Sequence, residues 1–246
     1  MRAAWAAPAP RSVSLLDAAA LPLAALTALQ ALAELPPGGA LLVHGASGGV
    51  GSAAVQLAAR TLRAGRVCVT ASAGRAEFLA GLGATRVFDH AAGGVRAAAD
   101  GGPYDVILDA FGNASFSRCA AMLAPGSTYV TLVPGWRNAL DAARTRLLRA
   151  LLRALPVAWR PWGARLVVVR PNQADLRRLV AAVDAGELRP AVDAVYDLED
   201  VASAHEHVER KHTRGKVLLR VQADEATART RFNLLPAAAL PAAARL

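Results

Sequence analysis

Apolar residues in this chain gather into short unbroken runs, and longer stretches with helical spacing separate them. The stretch "LLDAAALPLAALTALQALAEL" (15–35) has helical spacing and stops at the breaker "PPGG". The run "ALLVH" (40–44) follows, then a glycine turn and a helix to about Leu62. Further runs predict strands at 66–71, 86–88, 104–110, 128–133 and 165–170. Helical stretches are predicted at 75–82, 114–123, 139–155 and 173–185, with a turn at "APGS" (124–127). Continuous apolar strands indicate a parallel sheet covered by helices on both faces. The strand–helix alternation therefore predicts a doubly wound α/β fold of Rossmann type, with any ligand beyond the strand C-termini at the switch point. After "GELRP" (186–190) the pattern changes to one strand, one helix and one strand. The expected organisation is a linking helical region over 1–35, a Rossmann domain over 36–190, a return segment over 191–221 and a loose tail over 222–246.

Composition narrows the function classes. The chain has 246 residues, 54% hydrophobic and 19% charged, enough apolar material for a full core. Its formal charge of +9 is almost all arginine, since Lys211 and Lys216 are the only lysines. Such a balance reflects either genome composition or attraction to anions such as phosphate-bearing cofactors or acidic lipid. No nucleic-acid motif accompanies it, so nucleic acid is not an expected partner. Cys68 and Cys119 lack a CxxC partner or a nearby histidine, so no metal site is expected and a reduced, cytoplasmic setting fits. No uninterrupted apolar stretch reaches the length of a membrane span.

The chemistry centres on "VHGASGGVGS" (43–52), where Gly45, Gly48 and Gly51 sit in a G-x-x-G-x-x-G spacing between a strand and a helix. Glycines there allow a tight turn and close approach of a pyrophosphate to main-chain N–H groups at the helix N-terminus. The strict G-x-G-x-x-G spacing is absent, and a packing turn is the plain alternative. At the end of the second strand, an NAD site wants a carboxylate for the ribose hydroxyls. This chain reads "VTASAGRAEF" there, and its first acid, Glu77, lies inside the next helix. Ser72 and Arg75 stand in its place, a hydroxyl and a guanidinium that suit a 2′-phosphate, so NADPH is the expected cofactor. Arg75 could equally be a solvated residue at a helix start. The Tyr-x-x-x-Lys pair of short-chain reductases is missing after Tyr104, Tyr129 and Tyr196.

Together, "AAALPLAALTALQAL", "LVHGASGGVGSAAVQLA", "YDVILDAFG", "STYVTLV", "VDAGELRPAVDAVYDLEDVASAHEHVER" and "RGKVLLRV" resemble the medium-chain dehydrogenase/reductases, in their zinc-independent quinone oxidoreductase branch. The likeness is strongest to the reticulon-interacting mitochondrial reductases and runs over about residues 12–221. It implies metal-free hydride transfer from NADPH to a quinone or enone-type acceptor, with no assigned catalytic side chain and orientation carrying the catalysis. It further implies that Ser47, Gly48, Gly49 and Val50 meet the pyrophosphate, and that Ser72 and Arg75 meet the 2′-phosphate. His90 would lie by the adenosine, and Ala110 and Leu132 by the nicotinamide ribose. Val167 and Val169 would line the nicotinamide pocket, while His212, Thr213 and Arg214 form a C-terminal cofactor-contacting trio.

Some positions stay open at this level. His44 reads better as a packed core histidine than as a catalyst. Asp109 either binds ribose or caps the next turn, and Arg214 and Lys216 are either cofactor-side groups or plain surface charges. His205 and His207, two apart on a helix, make a poor metal pair. In "LDAARTRLLRALLRALPVAWRPW", Leu140, Leu147, Leu148, Leu151, Leu152 and Leu155 recur at helical spacing among Arg144, Arg146, Arg149 and Arg153. Packing on its own domain is the favoured reading, with peripheral membrane contact as the alternative. The family's β-rich N-terminal domain is expected to be absent. The return segment would then pair with the Rossmann sheet edge or leave an edge that favours a homo-oligomer. Two activities follow: a reductase that borrows half its cleft, or a truncated NADPH-binding module without turnover.

Overall fold

A computed structural model describes residues 5–152, 163–210 and 213–221. Its main body is a six-stranded sheet of β1 (Ala40–His44), β2 (Arg66–Ala71), β3 (Arg86–Asp89), β4 (Tyr104–Asp109), β5 (Leu123–Thr131) and β6 (Gly163–Leu166). The strands are all parallel in the order β3-β2-β1-β4-β5-β6. This is the doubly wound Rossmann order, which reverses direction between β1 and β4.

The continuous apolar runs have the cause expected of them. Leu41, Leu42 and Val43 of β1 and Val106, Ile107 and Leu108 of β4 are successive residues with no exposed surface. Leu41, Val43, Val69, Val106 and Leu108 join a core built with α2 (Leu21–Ala31), α3 (Gly49–Gln56) and α7 (Gln173–Asp184). Leu42, Cys68, Ile107 and Tyr129 point the other way, into a second core with Tyr104, Phe88 and Cys119. Each such leucine or isoleucine removed from water contributes about 1.5–3 kcal/mol.

Several elements differ from the pattern-based expectation. The opening helix is divided into α1 (Leu15–Ala18) and α2, because Pro22 belongs in a first helical turn, where its missing N–H costs nothing. The helix after the glycine turn keeps α geometry to Gln56 and ends in a wider π-type turn over Leu57–Thr61. α4 (Ala76–Leu82) ends on Gly83 in the left-handed region at φ 114°. The stretch 114–123 holds only the short α5 (Phe116–Cys119) and a 3-10 turn, Ala120–Met122. β5 begins at Leu123, so "APGS" is a bulge inside the strand: Gly126 has φ 81° and the register slips between Tyr104 and Val106. β6 stops at Leu166 instead of reaching residue 170.

The leucine-rich helix is α6 (Trp136–Leu152), and it corrects the favoured reading of that stretch. Leu140, Leu147, Leu148 and Leu151 are exposed, and the side facing β6 is that of Thr145. The bond that fixes this rotation is polar: Thr145 Oγ1 accepts from the Ala164 N–H at 2.9 Å. Leu155 and Arg153 lie outside the described residues.

The return segment forms β7 (Val192–Asp197), α8 (Val201–Glu209) and β8 (Lys216–Arg220). β7 and β8 pair in parallel with each other as a separate two-stranded sheet. On this unit His207 bridges Tyr196, at 2.9 Å from its hydroxyl, and Asp193, at 2.8 Å from its carboxylate, which locks α8 onto β7. The unit meets the main body where the Gly215 N–H donates to the Ser47 carbonyl at 2.8 Å, and just ahead of it the Gln56 side chain of α3 donates to the Arg189 carbonyl at 3.0 Å and accepts from its N–H at 2.9 Å. Among the described residues, no helix is long and apolar enough to cross a membrane.

Candidate functional site

The C-terminal ends of the strands come into register along one line. Thr70 pairs with His44, His44 with Asp109, Asp109 with Thr131, and Thr131 with Leu166. Thr70, His44, Asp109 and Thr131 are all buried, so a polar row underlies the loops at this edge. Buried polar groups need partners, and these hold the loops. His44 Nδ1 is bonded to Thr70 Oγ1 and Nε2 to Asn113 Oδ1. With both nitrogens engaged inside the structure, His44 is a core histidine that ties β1 to the loop after β4.

Asp109 is more heavily used. Its carboxylate accepts from the N–H groups of Phe111 (3.1 Å), Gly112 (2.7 Å) and Ala114 (3.1 Å) and from the Tyr129 hydroxyl (3.0 Å). Of its two open readings, the structure selects the cap: the lone pairs face the loop it shapes. Burial first, then the Asp109 charge, hold the Tyr129 hydroxyl well above the ordinary phenol range, so it remains a donor. The same two causes push the Cys119 thiol up to about 12.

The glycine turn follows β1 at the β1/β4 reversal. Gly45 has φ 79°, and a Cβ there would stand 2.8 Å from Phe111 Cβ. A Cβ on Gly51 would lie 2.5 Å from the Gly45 carbonyl oxygen and 2.6 Å from Ala46 Cα. Both glycines thus serve close packing. Gly48 differs: a Cβ on it would meet nothing within 4 Å, so the space beside its Cα is open. It is the N-cap of α3, and no side chain caps that helix. The orphan N–H groups of a first helical turn attract anions, so this main chain fits a pyrophosphate.

The other residues singled out from the sequence flank this turn. Ser47 and Val50 belong to it, and Ser47 accepts through its carbonyl from the Gly215 N–H at 2.8 Å. That bond, with the Gly48–Gly215 bridge, draws Thr213 and Arg214 to the turn. His212 lies outside the described residues. The stem of Lys216 crosses Gly49, where a Cβ would come within 2.5 Å of its Cδ. Ser72, exposed, follows β2, and half-buried Arg75 ends the 3-10 turn after it. His90 is exposed after β3, with Nδ1 3.8 Å from Asp89 Oδ1. Ala110 N–H donates to the His44 carbonyl at 2.9 Å, Leu132 N–H to Asp109 at 3.3 Å and Val167 N–H to Thr131 at 3.0 Å. Val169 packs with Val167 at the margin of the first core.

Sequence reading did not single out Phe111. It stands half exposed (54%) over the turn, its backbone held by Asp109 and its ring edge-on to His44 at 6.3 Å. Val133, beside Gly112, and Val168 add exposed apolar surface at the same sheet edge. An apolar residue interrupting the Asp-x-x-Gly cap loop was the available signal.

Comparison with known proteins agrees with this geometry. Residues 82–219 match the family model described as zinc-binding dehydrogenase. Among the described residues, no group of three His, Cys, Asp or Glu side chains could hold a metal ion, and both cysteines are buried. The described residues therefore offer no donor set for the zinc of that description. The chain is 31% identical over 233 residues to the trans-enoyl reductase poxH of Penicillium oxalicum, covering 87% of this chain and 59% of that protein. It is 32% identical to the human NAD(P)H oxidoreductase RTN4IP1, mitochondrial, covering 86% of this chain and 57% of that protein. A solved quinone oxidoreductase from Coxiella burnetii superposes with a TM-score of 0.72 at 29% identity, over 88% of this chain and 64% of that one. The chain thus spans less than two thirds of the length of these relatives.

Proposed function

The chain belongs to the zinc-binding dehydrogenase family of the medium-chain dehydrogenase/reductase superfamily, and from that membership we propose that it binds NADPH and takes part in hydride transfer to a quinone or enone-type acceptor. The observation that carries this reading is the start of α3 at Gly48, without a side-chain cap and with open space beside its Cα, set at the reversal of a Rossmann sheet. The names of the relatives, a trans-enoyl reductase and an NAD(P)H oxidoreductase, support the reaction class.

Within this reading, Ser47, Gly48, Gly49 and Val50 hold the pyrophosphate through main-chain N–H groups. Ser72 and Arg75 receive the 2′-phosphate, and the absence of a carboxylate at the end of β2 favours NADPH over NADH. His90 lies on the adenosine side. Ala110, Leu132, Val167 and Val169 line the nicotinamide side, and Thr213 and Arg214 close over the turn. When bound, NADPH supplies a hydride, and the acceptor takes a proton from solvent. No residue here is assigned as acid or base. The chain's contribution is to orient both reactants and to exclude water with Phe111, Val133 and Val168.

A second reading is a binding module that holds NADPH without turnover. It is favoured by the exposure of Phe111, Val133 and Val168, which leaves the acceptor side open among the described residues. Calorimetry with NADPH and NADH, followed by quinone-dependent NADPH oxidation on the same sample, separates the two. Tighter NADPH binding with oxidation supports the reductase, and binding alone supports the module. Absence of NADPH binding removes both.

A further inference from the structure

Helix α6 presents two unlike faces. Thr145, 8% exposed, turns toward β6, where its hydroxyl donates to the Asp141 carbonyl at 2.8 Å and accepts from the Ala164 N–H. On the opposite side Leu140 (48% exposed), Leu147 (62%) and Leu151 (62%) follow one another at i, i+7 and i+11, with Leu148 (43%) beside them. Residues at that spacing lie along one line of a helix. An apolar stripe in contact with water marks an interaction surface.

The charges on α6 indicate what covers the stripe. Arg144 lies within it, Arg146 is exposed elsewhere on the helix, and Asp141, the helix's single acid, is half-buried. A second copy of this chain docked face to face through α6 would set the same arginines against each other across a two-fold axis. A bilayer with anionic headgroups meets both demands. Leucines enter the headgroup–acyl boundary, and the long arginine side chains reach back to the phosphates. The helix lies against β6, an edge of the main sheet. We propose that the outer face of α6 is a peripheral docking surface for an anionic lipid bilayer. The inference is independent of the cofactor reading, since none of its residues belongs to the site at the strand C-termini.

The test is co-sedimentation of the whole chain with vesicles of phosphatidylcholine alone and of phosphatidylcholine mixed with phosphatidylserine. Two variants accompany it, Arg144→Glu and the double change Leu147→Gln with Leu151→Gln. All the altered side chains are exposed, so thermal melts should match the parent. The expected result is selective binding to the phosphatidylserine vesicles, weakened about tenfold or more by either variant and reduced by salt. Failure to bind phosphatidylserine vesicles overturns the proposal, as does binding that neither variant changes. Sedimentation velocity without vesicles provides a second arm: a dimer lost in the leucine variant would assign the stripe to a second copy and also overturn it.

Discussion

The Tyr129 hydroxyl donates to the buried Asp109 carboxylate at 3.0 Å, linking β5 to the loop that follows β4. Three main-chain N–H groups of that loop converge on the same carboxylate. Asp109→Ala removes the common acceptor and leaves several buried donors unpaired, so a loss of about 3 kcal/mol or more is expected in urea unfolding. Tyr129→Phe should cost about 1–2 kcal/mol, because the three loop bonds remain. Equal losses in the two variants would refute the cap role.

Gly48 and Gly51 should respond differently to the same change. Gly48→Ala adds a methyl group in open space, so it should cost no more than about 1 kcal/mol, the loss of a glycine N-cap, while NADPH affinity in calorimetry falls about tenfold. Gly51→Ala drives a methyl group into the backbone of Gly45 and Ala46, and should cost about 1–3 kcal/mol of stability. Unchanged NADPH affinity in Gly48→Ala would remove the pyrophosphate from this turn.

Arg75→Glu places a carboxylate where the reading sets a 2′-phosphate. NADPH affinity should drop by about 10–100-fold, with NADH affinity held or raised. A parallel loss for both cofactors would mean that Arg75 acts on the fold rather than on the phosphate.

Phe111→Ala should leave thermal stability nearly unchanged, since the side chain is half exposed and its backbone N–H still reaches Asp109. NADPH affinity should stay within about twofold, while binding of a flat aromatic quinone weakens about tenfold. Unaltered quinone binding would show that the exposed ring is not a wall of the acceptor site.

The Cys119 thiol has a folded-state pKa of about 12 against an ordinary value of 9.0. A group raised in this way favours the folded state fully below the ordinary value and loses that contribution as pH climbs toward the folded one. Unfolding free energy should therefore decline between about pH 9 and 12. Cys119→Ala should flatten the decline, with Tyr129 contributing above the ordinary phenol range. Thiol reagents at neutral pH should leave the native protein unlabelled.

The parallel sheet and its order of elements were legible because residues buried on both faces must be apolar without interruption, as in "ALLVH" and "YDVILDA". Gly45, Gly48 and Gly51 were legible as a turn for a related reason, but their division of labour was not. Spacing cannot tell a glycine that packs against Phe111 or Ala46 from one with open space beside its Cα. The bulge at Gly126 was also hidden, because "APGS" has turn chemistry and only the neighbouring β4 turns it into strand.

What the sequence determined by itself is the doubly wound sheet, its crossover glycines and the lack of an acid at the end of β2, since local pattern and composition carry these. What only the tertiary structure decided depends on contacts between distant segments. The four hydrogen bonds that occupy Asp109, the two partners that fix His44, the docking of Gly215 on Ser47 and the outward turn of the α6 leucines are of this kind. A helical stripe shows which residues share a face. Which way that face turns is set by its neighbour, here a hydrogen bond from Ala164 to Thr145 that draws the polar side inward.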